Sequence, residues 1–317
     1  MKILVTPTSL QPGKSSNALD VLRTFSDDLI FNTAKKPLTE EELIPLLKDC
    51  DGYIAGLDYV TKNVINACTH LKVISRYGAG YDRVDIDAAR EKGILVTNTP
   101  GVNAEAVGEL TFALILSVAR KIPHLNHTTR SGQWIRSTGM ELKGKTIGIM
   151  GLGAIGKVVA RCAKGFDMKV ITYDPYINND YCIKNNIQVC TFDEVVQRSD
   201  VISLHLPLLE TTKHLIGKEA LAKMKPTTII INASRGGIID EVAAYQALKA
   251  NKLGGLGLDA FETEPPMGSP LFEFENVVVT PHTGAHTQEA TDLMATASVD
   301  NLINILSGKN CPFIVNP

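Results

Sequence analysis

The segment TIGIMGLGAIG, residues 146–156, decides the fold of this sequence. Its first five residues, Thr146–Met150, form an apolar run typical of a buried strand, and Lys157–Phe166 continues as a helical pattern. Gly151, Gly153 and Gly156 therefore form a G-x-G-x-x-G turn between a strand and a helix, the context that makes this motif specific. The turn predicts a dinucleotide-binding βαβ unit.

The positions of this turn have distinct physical roles. The first glycine allows a tight turn, the second lets the backbone approach a pyrophosphate, and the third permits close packing of helix on strand. The backbone N–H groups that open the helix, around Ala154 and Ile155, offer hydrogen bonds and a positive dipole end to the phosphates. We therefore expect these five residues to bind the cofactor.

Asp174 indicates which cofactor is bound. It follows the next predicted strand, Lys169–Tyr173, and a carboxylate there can accept hydrogen bonds from the adenosine ribose hydroxyls. The same carboxylate would repel a 2′-phosphate, so the sequence predicts NAD rather than NADP. The alternative is that Asp174 only begins the Asp174-Pro175 turn.

Short β-prone runs alternate with helical stretches on both sides of the turn. Before it, the predicted strands are Ile3–Thr6, Asp28–Asn32, Tyr53–Ala55, Val73–Arg76 and Ile94–Asn98, with helices such as Thr39–Lys48 and Asp85–Lys92. From it onward, they are Thr146–Met150, Lys169–Tyr173, Val201–Leu206, Thr228–Asn232, Leu256–Ala260 and Asn276–Thr280, with helices such as Asp240–Lys252. This alternation predicts an α/β fold with two Rossmann-like, doubly wound parallel sheets.

Two long helical segments lie outside the alternation, at Asn103–Lys121 and Thr287–Leu306. Helices at these places can carry the chain from one domain to the other and back. We therefore expect a substrate domain at residues 1–99, a NAD-binding domain at 100–285, and a return to the substrate domain at 286–317. The first domain is then discontinuous.

Composition excludes several other functional classes. The formal net charge of the 317 residues is −2, so no overall field favours nucleic acid or an anionic membrane. The longest apolar stretch, Leu110–Ala119, is too short to span a bilayer. The six cysteines have no C-x-x-C pair or zinc-ribbon spacing, and no export signal is visible. We expect a cytoplasmic protein with reduced thiols and no metal.

Three polar segments, Asn232–Gly237, Asp259–Pro265 and Thr280–Ala285, directly follow predicted strands. The carboxyl ends of strands in an open α/β sheet border the ligand crevice, so Arg235, Glu264 and His282 can converge there. Together they suit the reduction of a 2-keto acid. The arginine would hold the carboxylate and polarise the ketone, the histidine would protonate the forming alkoxide, and the glutamate would keep the histidine protonated.

Each of the three residues alone has an ordinary explanation, as a surface cation, a solvated carboxylate or a core histidine. Their joint appearance behind the glycine-rich turn favours catalysis.

The sequence resembles the D-isomer-specific 2-hydroxyacid dehydrogenase family over essentially its whole length. The segments that carry the resemblance are Gly151–Gly156, Arg235-Gly236, Asp259–Pro265, Pro281-His282, Arg76–Asp85, Asn98–Asn103 and Val107–Thr111.

The resemblance implies roles for individual residues. Arg235, Glu264 and His282 would be catalytic, and Asp259 would bind the nicotinamide carboxamide. Backbone N–H groups of Ala79 and Gly80, in the loop that opens with Gly78, would hold the substrate carboxylate. The cofactor-binding residues would further include Ala233, Arg235, Asp259, His282 and Gly284.

Within the family the likeness is to phosphoglycerate dehydrogenases of the short type, through Ser75–Gly78 and Gly132–Arg136. We expect Arg76 and Arg136 to bind a substrate phosphate. However, Gly56 stands where some of those enzymes have a substrate-binding arginine, which favours an unphosphorylated acid such as hydroxypyruvate or glyoxylate. We expect 3-phosphoglycerate as the substrate, with hydroxypyruvate, glyoxylate or another 2-keto acid as the alternative.

The resemblance also implies a partner and a second functional class. We expect a homodimer, formed partly by the apolar helix Asn103–Lys121 and the arm that contains Trp134. The sequence ends at Pro317, so we expect no feedback through a C-terminal regulatory domain. A NAD-sensing binding protein is the alternative of a different class, because such proteins retain the same three residues.

Overall fold

A computed structural model describes residues 1–13 and 17–317. The described chain folds into two compact units: Met1–Asn103 with His286–Pro317, and Ala104–Ala285. The sequence places the divisions after residues 99 and 285. The assignment of one unit to the substrate and of the other to NAD stays a prediction from the sequence.

The first unit contains a five-stranded parallel sheet in the order β2-β1-β3-β4-β5. Its strands are β1 (Lys2–Val5), β2 (Asp28–Phe31), β3 (Gly52–Ala55), β4 (Val73–Arg76) and β5 (Leu95–Thr97). Its helices are α1 (Asn17–Phe25), α2 (Glu40–Leu47), α3 (Lys62–Ala67), α4 (Ile86–Glu91) and, near the end of the chain, α12 (Gln288–Leu306).

Side-chain caps fix where several of these helices begin. The Thr39 hydroxyl accepts the N–H of Glu42 while the Glu42 carboxylate accepts the N–H of Thr39, forming a capping box at the start of α2. Asp85 accepts the N–H of Ala88 and so begins α4. Each cap satisfies N–H groups that a helix cannot pair internally. The helices therefore begin where the short polar residues stand in the sequence.

Helix α12 closes the first unit from the far end of the sequence. The Ser75 hydroxyl on β4 donates to the carbonyl of Ser298 at 2.8 Å, and the Tyr77 hydroxyl donates to the carbonyl of Thr291 at 2.8 Å. Leu302 is fully buried in the core cluster around β1 and α1. These contacts make the unit discontinuous in sequence, as the return at residue 286 predicts.

The second unit contains a seven-stranded parallel sheet in the order β12-β11-β10-β9-β6-β7-β8. Its strands are β6 (Thr146–Met150), β7 (Lys169–Tyr173), β8 (Gln188–Val189), β9 (Val201–Leu204), β10 (Ile229–Asn232), β11 (Gly255–Leu258) and β12 (Val277–Val279). Its helices are α5 (Ala104–Ala119), α6 (Ile122–Arg130), α7 (Ala154–Gly165), α8 (Asn179–Lys184), α9 (Phe192–Arg198), α10 (Lys218–Lys223) and α11 (Glu241–Lys249); a 3₁₀ turn spans Pro270–Glu273. Two parallel sheets confirm the predicted fold class.

Two elements of the second unit differ from the sequence prediction. Strand β8 was not predicted, because its two residues lie exposed at the sheet edge and carry no apolar run. The predicted helix Asn103–Lys121 ends at Ala119, since Lys121 adopts a left-handed conformation with φ 53°. A second helix, α6, then begins with Pro123 in its first turn.

The apolar residues of α5 are used within this unit. Leu114 and Val118 are 2% and 4% exposed, in the core that also contains Ile147 and Ile231. These two residues of the helix that is expected to form part of a homodimer interface are therefore buried within a single chain. In the part of the chain that is described, no helix combines the length and the hydropathy required to cross a membrane.

Close packing of α5 on α7 generates a prediction about stability. A Cβ added at Gly108 on α5 would lie 2.4 Å from Cγ1 of Val158 on α7. Valine in a helix has one favoured rotamer, so Val158 cannot turn away. Overpacking costs about 1–3 kcal/mol, more than the gain of about 1 kcal/mol from replacing glycine by alanine in a helix. We expect Gly108→Ala to lower the free energy of unfolding, measured by urea titration.

Two further variants test the reason for this loss. Val158→Ala removes Cγ1 but leaves the Cβ of residue 158 2.8 Å from the added Cβ. It should therefore relieve the clash in part, and the double variant should still be more stable than the sum of the two single effects. Gly165→Ala, at the end of α7 with no atom within 4 Å of the added Cβ, is the matched control and should not destabilise. Additive effects of Gly108→Ala and Val158→Ala would contradict the proposed clash.

Candidate active site

Three neighbouring strands of the second sheet carry the predicted catalytic residues. Strands β10, β11 and β12 are adjacent and parallel, so the loops that follow them leave the sheet at one edge. Arg235 follows β10, Glu264 follows β11 and His282 follows β12. Parallel pairing thereby brings three loops that are distant in sequence to the same edge of the sheet.

His282 and Glu264 form a direct pair. The imidazole Nδ1 lies 2.9 Å from Oε1 and 3.1 Å from Oε2 of Glu264. Both side chains are partly buried, at 26% and 20% exposure. A carboxylate that accepts at Nδ1 fixes the ring orientation and leaves Nε2 as the atom that can exchange a proton. The structure therefore brings His282 and Glu264 into contact, and their acid–base role stays a prediction.

Asp259 organises the loop that carries His282. The side chain is 2% exposed. Its Oδ1 accepts the Thr280 hydroxyl at 2.6 Å and the N–H of Thr283 at 2.7 Å, and its Oδ2 accepts the N–H of Gly284 at 2.8 Å. His282 itself has a φ of 51°, so the loop turns sharply between the residues that Asp259 holds. Hence Asp259 positions His282 whether or not it also contacts a nicotinamide.

Arg235 is placed by a turn built on Asn232. The Asn232 amide donates to the carbonyl of Arg235 at 2.7 Å, and its Oδ1 accepts the N–H and the hydroxyl of Ser234. The next residue, Gly236, lies so close to the β11 loop that an added Cβ would be 1.8 Å from the carbonyl oxygen of Phe261. Only glycine fits there. The arginine loop therefore packs directly on the loop that leads to Glu264. Ala233, in the same arginine loop, is buried.

The glycine-rich turn has the geometry that a dinucleotide requires. An added Cβ at Gly151 would lie 2.5 Å from the His205 carbonyl oxygen, and one at Gly156 would lie 2.1 Å from the Gly151 carbonyl oxygen. At Gly153 there is open space instead. Ala154 and Ile155 open α7, and no side chain caps its N-terminus. Tight packing on one side and free N–H groups on the other fit a bound pyrophosphate.

The Asp174 carboxylate accepts hydrogen bonds in two places: in the turn that Asp174 itself begins, and from the glycine-rich turn. Its Oδ1 accepts the N–H of Tyr176 at 2.8 Å, and its Oδ2 accepts the N–H of Leu152 at 2.7 Å. The second bond ties the end of β7 to the glycine-rich turn. The carboxylate is thus held beside the turn, where the sequence predicts contact with a ribose.

In the first unit, the structure places the Arg76 side chain against backbone carbonyl groups. This side chain is 4% exposed. Its Nη1 donates to the carbonyl of Ala55 at 2.7 Å, and its Nε donates to the carbonyl of Gly80 at 3.1 Å. The guanidinium is therefore engaged with the end of β3 and with the predicted substrate loop, which contains Gly78, Ala79 and Gly80, and its role in binding a phosphate stays a prediction.

Two further positions bear on a substrate phosphate. Arg136 lies exposed in a segment of the second unit without regular secondary structure. Gly56 donates its N–H to the Thr6 hydroxyl at 2.9 Å, and an added Cβ would be 3.3 Å from both Cα of Pro7 and that hydroxyl. A side chain at position 56 would be tightly confined, so the chain has little room for an arginine there.

Sequence reasoning missed the residues that position the site. Asn232 ends β10 and is buried, and Thr280 follows β12 and is partly buried; a polar side chain withdrawn from solvent at such a place is the signal that could have identified them. Asn98 is a third example, because its amide donates to the carbonyl of Ala79 at 2.7 Å.

Within residues 1–13 and 17–317, no cluster of acidic, histidine or cysteine side chains is arranged to hold a metal ion.

Known proteins resemble this chain in both sequence and structure. Residues 112–284 match the family described as D-isomer specific 2-hydroxyacid dehydrogenase, NAD binding domain. The match begins within α5 and ends at Gly284. It therefore covers the glycine-rich turn, Asp174 and all three predicted catalytic residues.

The relatives include two kinds of enzyme. A D-3-phosphoglycerate dehydrogenase of Methanocaldococcus jannaschii is 43% identical over 283 residues, which are 88% of this chain and 54% of that protein. The chain thus spans about half the length of this relative. A glyoxylate reductase of Thermofilum pendens is 40% identical over 326 residues, covering 99% of this chain and 94% of that protein. The solved structure of the TT0316 protein from Thermus thermophilus has a TM-score of 0.88 and 35% identity, covering 99% of this chain and 100% of that one.

The residue behind the glycine-rich turn, His205, generates a prediction about pH. Burial lowers the pKa of its imidazole to about 3, and its Nδ1 has no hydrogen-bond partner among the described residues. A histidine in the unfolded chain has a pKa of about 6.5. The unfolded chain therefore binds a proton that the folded chain does not, and the free energy of unfolding should fall as the pH decreases from about 6.5 toward 3.

Urea titrations over this pH range measure the contribution of His205. The fall in stability with decreasing pH should be smaller in His205→Gln, because glutamine does not titrate. His286→Gln is the control, since His286 is exposed and should leave the pH dependence unchanged. Equal pH dependence in the unmodified protein and in His205→Gln would contradict the prediction.

Proposed function

Because the chain belongs to the D-isomer-specific 2-hydroxyacid dehydrogenase family, we propose that it is a NAD-dependent enzyme that interconverts a 2-hydroxy acid and the corresponding 2-keto acid. The observation that carries the proposal is the His282–Glu264 pair at 2.9 Å, on loops adjacent to the one that carries Arg235. Cation, acid and orienting carboxylate are the groups that this reaction needs.

Each of the three residues has a separate task. Arg235 binds the substrate carboxylate and polarises the carbonyl group through its planar donors. In reduction, protonated His282 gives its Nε2 proton to the oxygen as negative charge develops there; in oxidation, Nε2 accepts the hydroxyl proton. Glu264, held against Nδ1, stabilises the imidazolium that both directions require. Its own Oε1 also lies 3.3 Å from the N–H of Phe261, which limits its movement.

NAD would be held by the glycine-rich turn and the start of α7, with Asp174 at the adenosine ribose and Ala233, Asp259 and Gly284 near the nicotinamide. When bound, the cofactor supplies or accepts the hydride. The protein's own contribution is to exclude a 2′-phosphate by the charge of Asp174 and to keep the loop after β12 in place through Asp259. We propose NAD rather than NADP on this basis.

The substrate that the structure favours is a small 2-keto acid without a phosphate, such as glyoxylate or hydroxypyruvate. Of the two arginines predicted to bind phosphate, Arg76 is buried against backbone carbonyls, and position 56 has little room for a third. The full-length similarity to a glyoxylate reductase agrees with this choice.

A second candidate is 3-phosphoglycerate, with Arg136 as the phosphate ligand. It is supported by the exposure of Arg136 and by the similarity to a D-3-phosphoglycerate dehydrogenase.

We also propose a homodimer, since Trp134 is 83% exposed and the neighbouring Ile135 is 46% exposed in the same arm. Large apolar side chains exposed together suit a protein interface, and sedimentation at micromolar concentration measures the state of assembly.

A panel of 2-keto acids tests the proposed function. Glyoxylate, hydroxypyruvate, pyruvate and 3-phosphohydroxypyruvate are each reduced with NADH and with NADPH, and kcat/KM is compared. We expect a preference for NADH and for an unphosphorylated acid. A preference for 3-phosphohydroxypyruvate would select the second candidate, and NAD binding without turnover of any acid would favour a NAD-sensing binding protein.

Substitution of the acid–base pair tests the assigned roles. His282→Ala should lower kcat by about 10²–10⁴, because only the transition state needs the proton, and should weaken NADH binding far less. Glu264→Gln should shift the pH profile of reduction to lower pH, because a neutral amide no longer stabilises the imidazolium. Steady-state rates from about pH 5 to 9 and NADH fluorescence titrations measure both effects.

The second unit offers a matched control for these variants. His214 and Glu262 form another histidine–glutamate pair, with Nε2 and Oε1 3.1 Å apart, outside the predicted catalytic three. His214→Ala should therefore retain most of the activity and the same pH profile. An unchanged pH profile in Glu264→Gln would contradict the role given to Glu264.

A further inference from the structure

Helix α11 and the loop after β11 are joined by two glutamates that lie 21 positions apart in the sequence. The N–H of Glu262 donates to Oε1 of Glu241 at 2.7 Å, and the N–H of Glu241 donates to Oε1 of Glu262 at 3.1 Å. Each residue gives the other one N–H group and accepts one in return. The Glu241–Glu262 pair therefore closes a ring of hydrogen bonds between the start of α11 and the loop that carries Glu264.

The start of a helix suits this attachment. Asp240 caps α11 by accepting the N–H of Ala243, but the N–H of Glu241, at the first helical position, has no partner inside the helix. The Glu262 carboxylate accepts it, and the helix dipole favours a negative charge there. His214 also contacts Oε1 of Glu262, at 3.1 Å, but from a position that is 42% exposed, where an ion pair contributes little. The two N–H groups are therefore the main attachment.

The attachment lies directly before the predicted catalytic glutamate. Glu262 stands two positions ahead of Glu264 in the sequence. Phe261, the residue before Glu262, is 5% exposed in the core of the second unit, and its N–H lies 3.3 Å from Oε1 of Glu264. The backbone is thus fixed at two successive residues just ahead of the side chain that contacts His282. A change at either attachment should therefore be felt at the Glu264 carboxylate.

The carboxylates of this region are close enough to influence one another. Burial raises the pKa of the Glu241 carboxyl, the hydrogen bond from the N–H of Glu262 lowers it, and the negative charges of Glu262 and Glu264 raise it further. Since like charges repel, the attraction between the loop and α11 at this pair comes from the N–H donors. Loss of one acceptor would therefore weaken the attachment while the repulsion between the remaining carboxylates persists.

We propose that Glu241 and Glu262 are positioning residues, which hold the loop after β11 so that the Glu264 carboxylate stays against Nδ1 of His282. The inference rests on the proposed function, since it takes His282 as the acid–base residue. Glu241 and Glu262 act through Glu264 and not on the substrate.

Glu241→Ala and Glu241→Gln separate the hydrogen bond from the charge. Both variants remove the negative charge, but only glutamine keeps an oxygen at the same reach that can accept the N–H of Glu262. We expect Glu241→Ala to lower kcat about tenfold, the order of effect of leaving a hydrogen-bonding group unpaired. It should also shift the pH profile of reduction to lower pH, in the direction expected for Glu264→Gln. Glu241→Gln should show the smaller change in both measurements.

A double-variant cycle tests whether Glu241 acts through Glu264. In Glu264→Gln the carboxylate that the pair positions is already gone, so the addition of Glu241→Ala should lower kcat far less than it does alone. Val242→Ala is the matched control, because Val242 is the next residue of α11 and is 71% exposed; it should leave kcat and the pH profile unchanged. Equal losses from Glu241→Ala in both backgrounds, or equal effects of Glu241→Ala and Glu241→Gln, would overturn the proposal.

NMR of the His282 side chain separates this proposal from the proposed function, because it needs no turnover. An Nδ1–H that donates to a carboxylate exchanges slowly with water and gives a proton resonance, which is assigned by its loss in His282→Ala. We expect this resonance to persist in Glu241→Gln and to broaden or vanish in Glu241→Ala. That result in a protein that reduces no 2-keto acid would refute the proposed function and retain the positioning role. Turnover of a 2-keto acid with the same resonance in both variants would refute the positioning role alone.

Discussion

The parallel pairing of β10, β11 and β12 is the constraint on which the candidate active site depends. Parallel strands end at one edge of a sheet, so the loops that follow them meet there although they are far apart in sequence. The contact is close enough that the Gly236 position lies against the carbonyl of Phe261 and excludes any side chain. An antiparallel strand in the place of β11 would carry Glu264 to the opposite edge, away from His282.

Loops without regular structure need a further means of fixing their shape, and buried carboxylates provide it in both units. Asp259 accepts three hydrogen bonds just beyond β11. Asp58, 1% exposed beyond β3, accepts the hydroxyls of Thr6 and Tyr53 and the N–H of Leu38. A buried carboxylate is tolerated only when such bonds compensate its lost hydration. Each one therefore fixes the backbone of its neighbours in a single arrangement.

The sequence predicts the fold well wherever a strand is buried on both faces. The strands β4, β6 and β7 have the predicted bounds, because apolar runs between turn residues leave little ambiguity. It fails at β8, which is short and exposed, and at α6, which begins after a left-handed Lys121. The convergence of Glu264 and His282 could be predicted, since strand order and the parallel rule determine it. The bonding of Asn98 and Asn232 could not, because it depends on which carbonyls the tertiary structure brings within reach.

Arg76 shows why a cation at a strand end does not identify an anion site by itself. If its guanidinium moved to a ligand, the carbonyl of Gly80 would lose this donor, and the carbonyl of Ala55 would keep only the N–H of Tyr77. The same movement would release one of the peptide groups of the loop after β4. The arginine thus orients the backbone at the end of β3 and in the loop after β4.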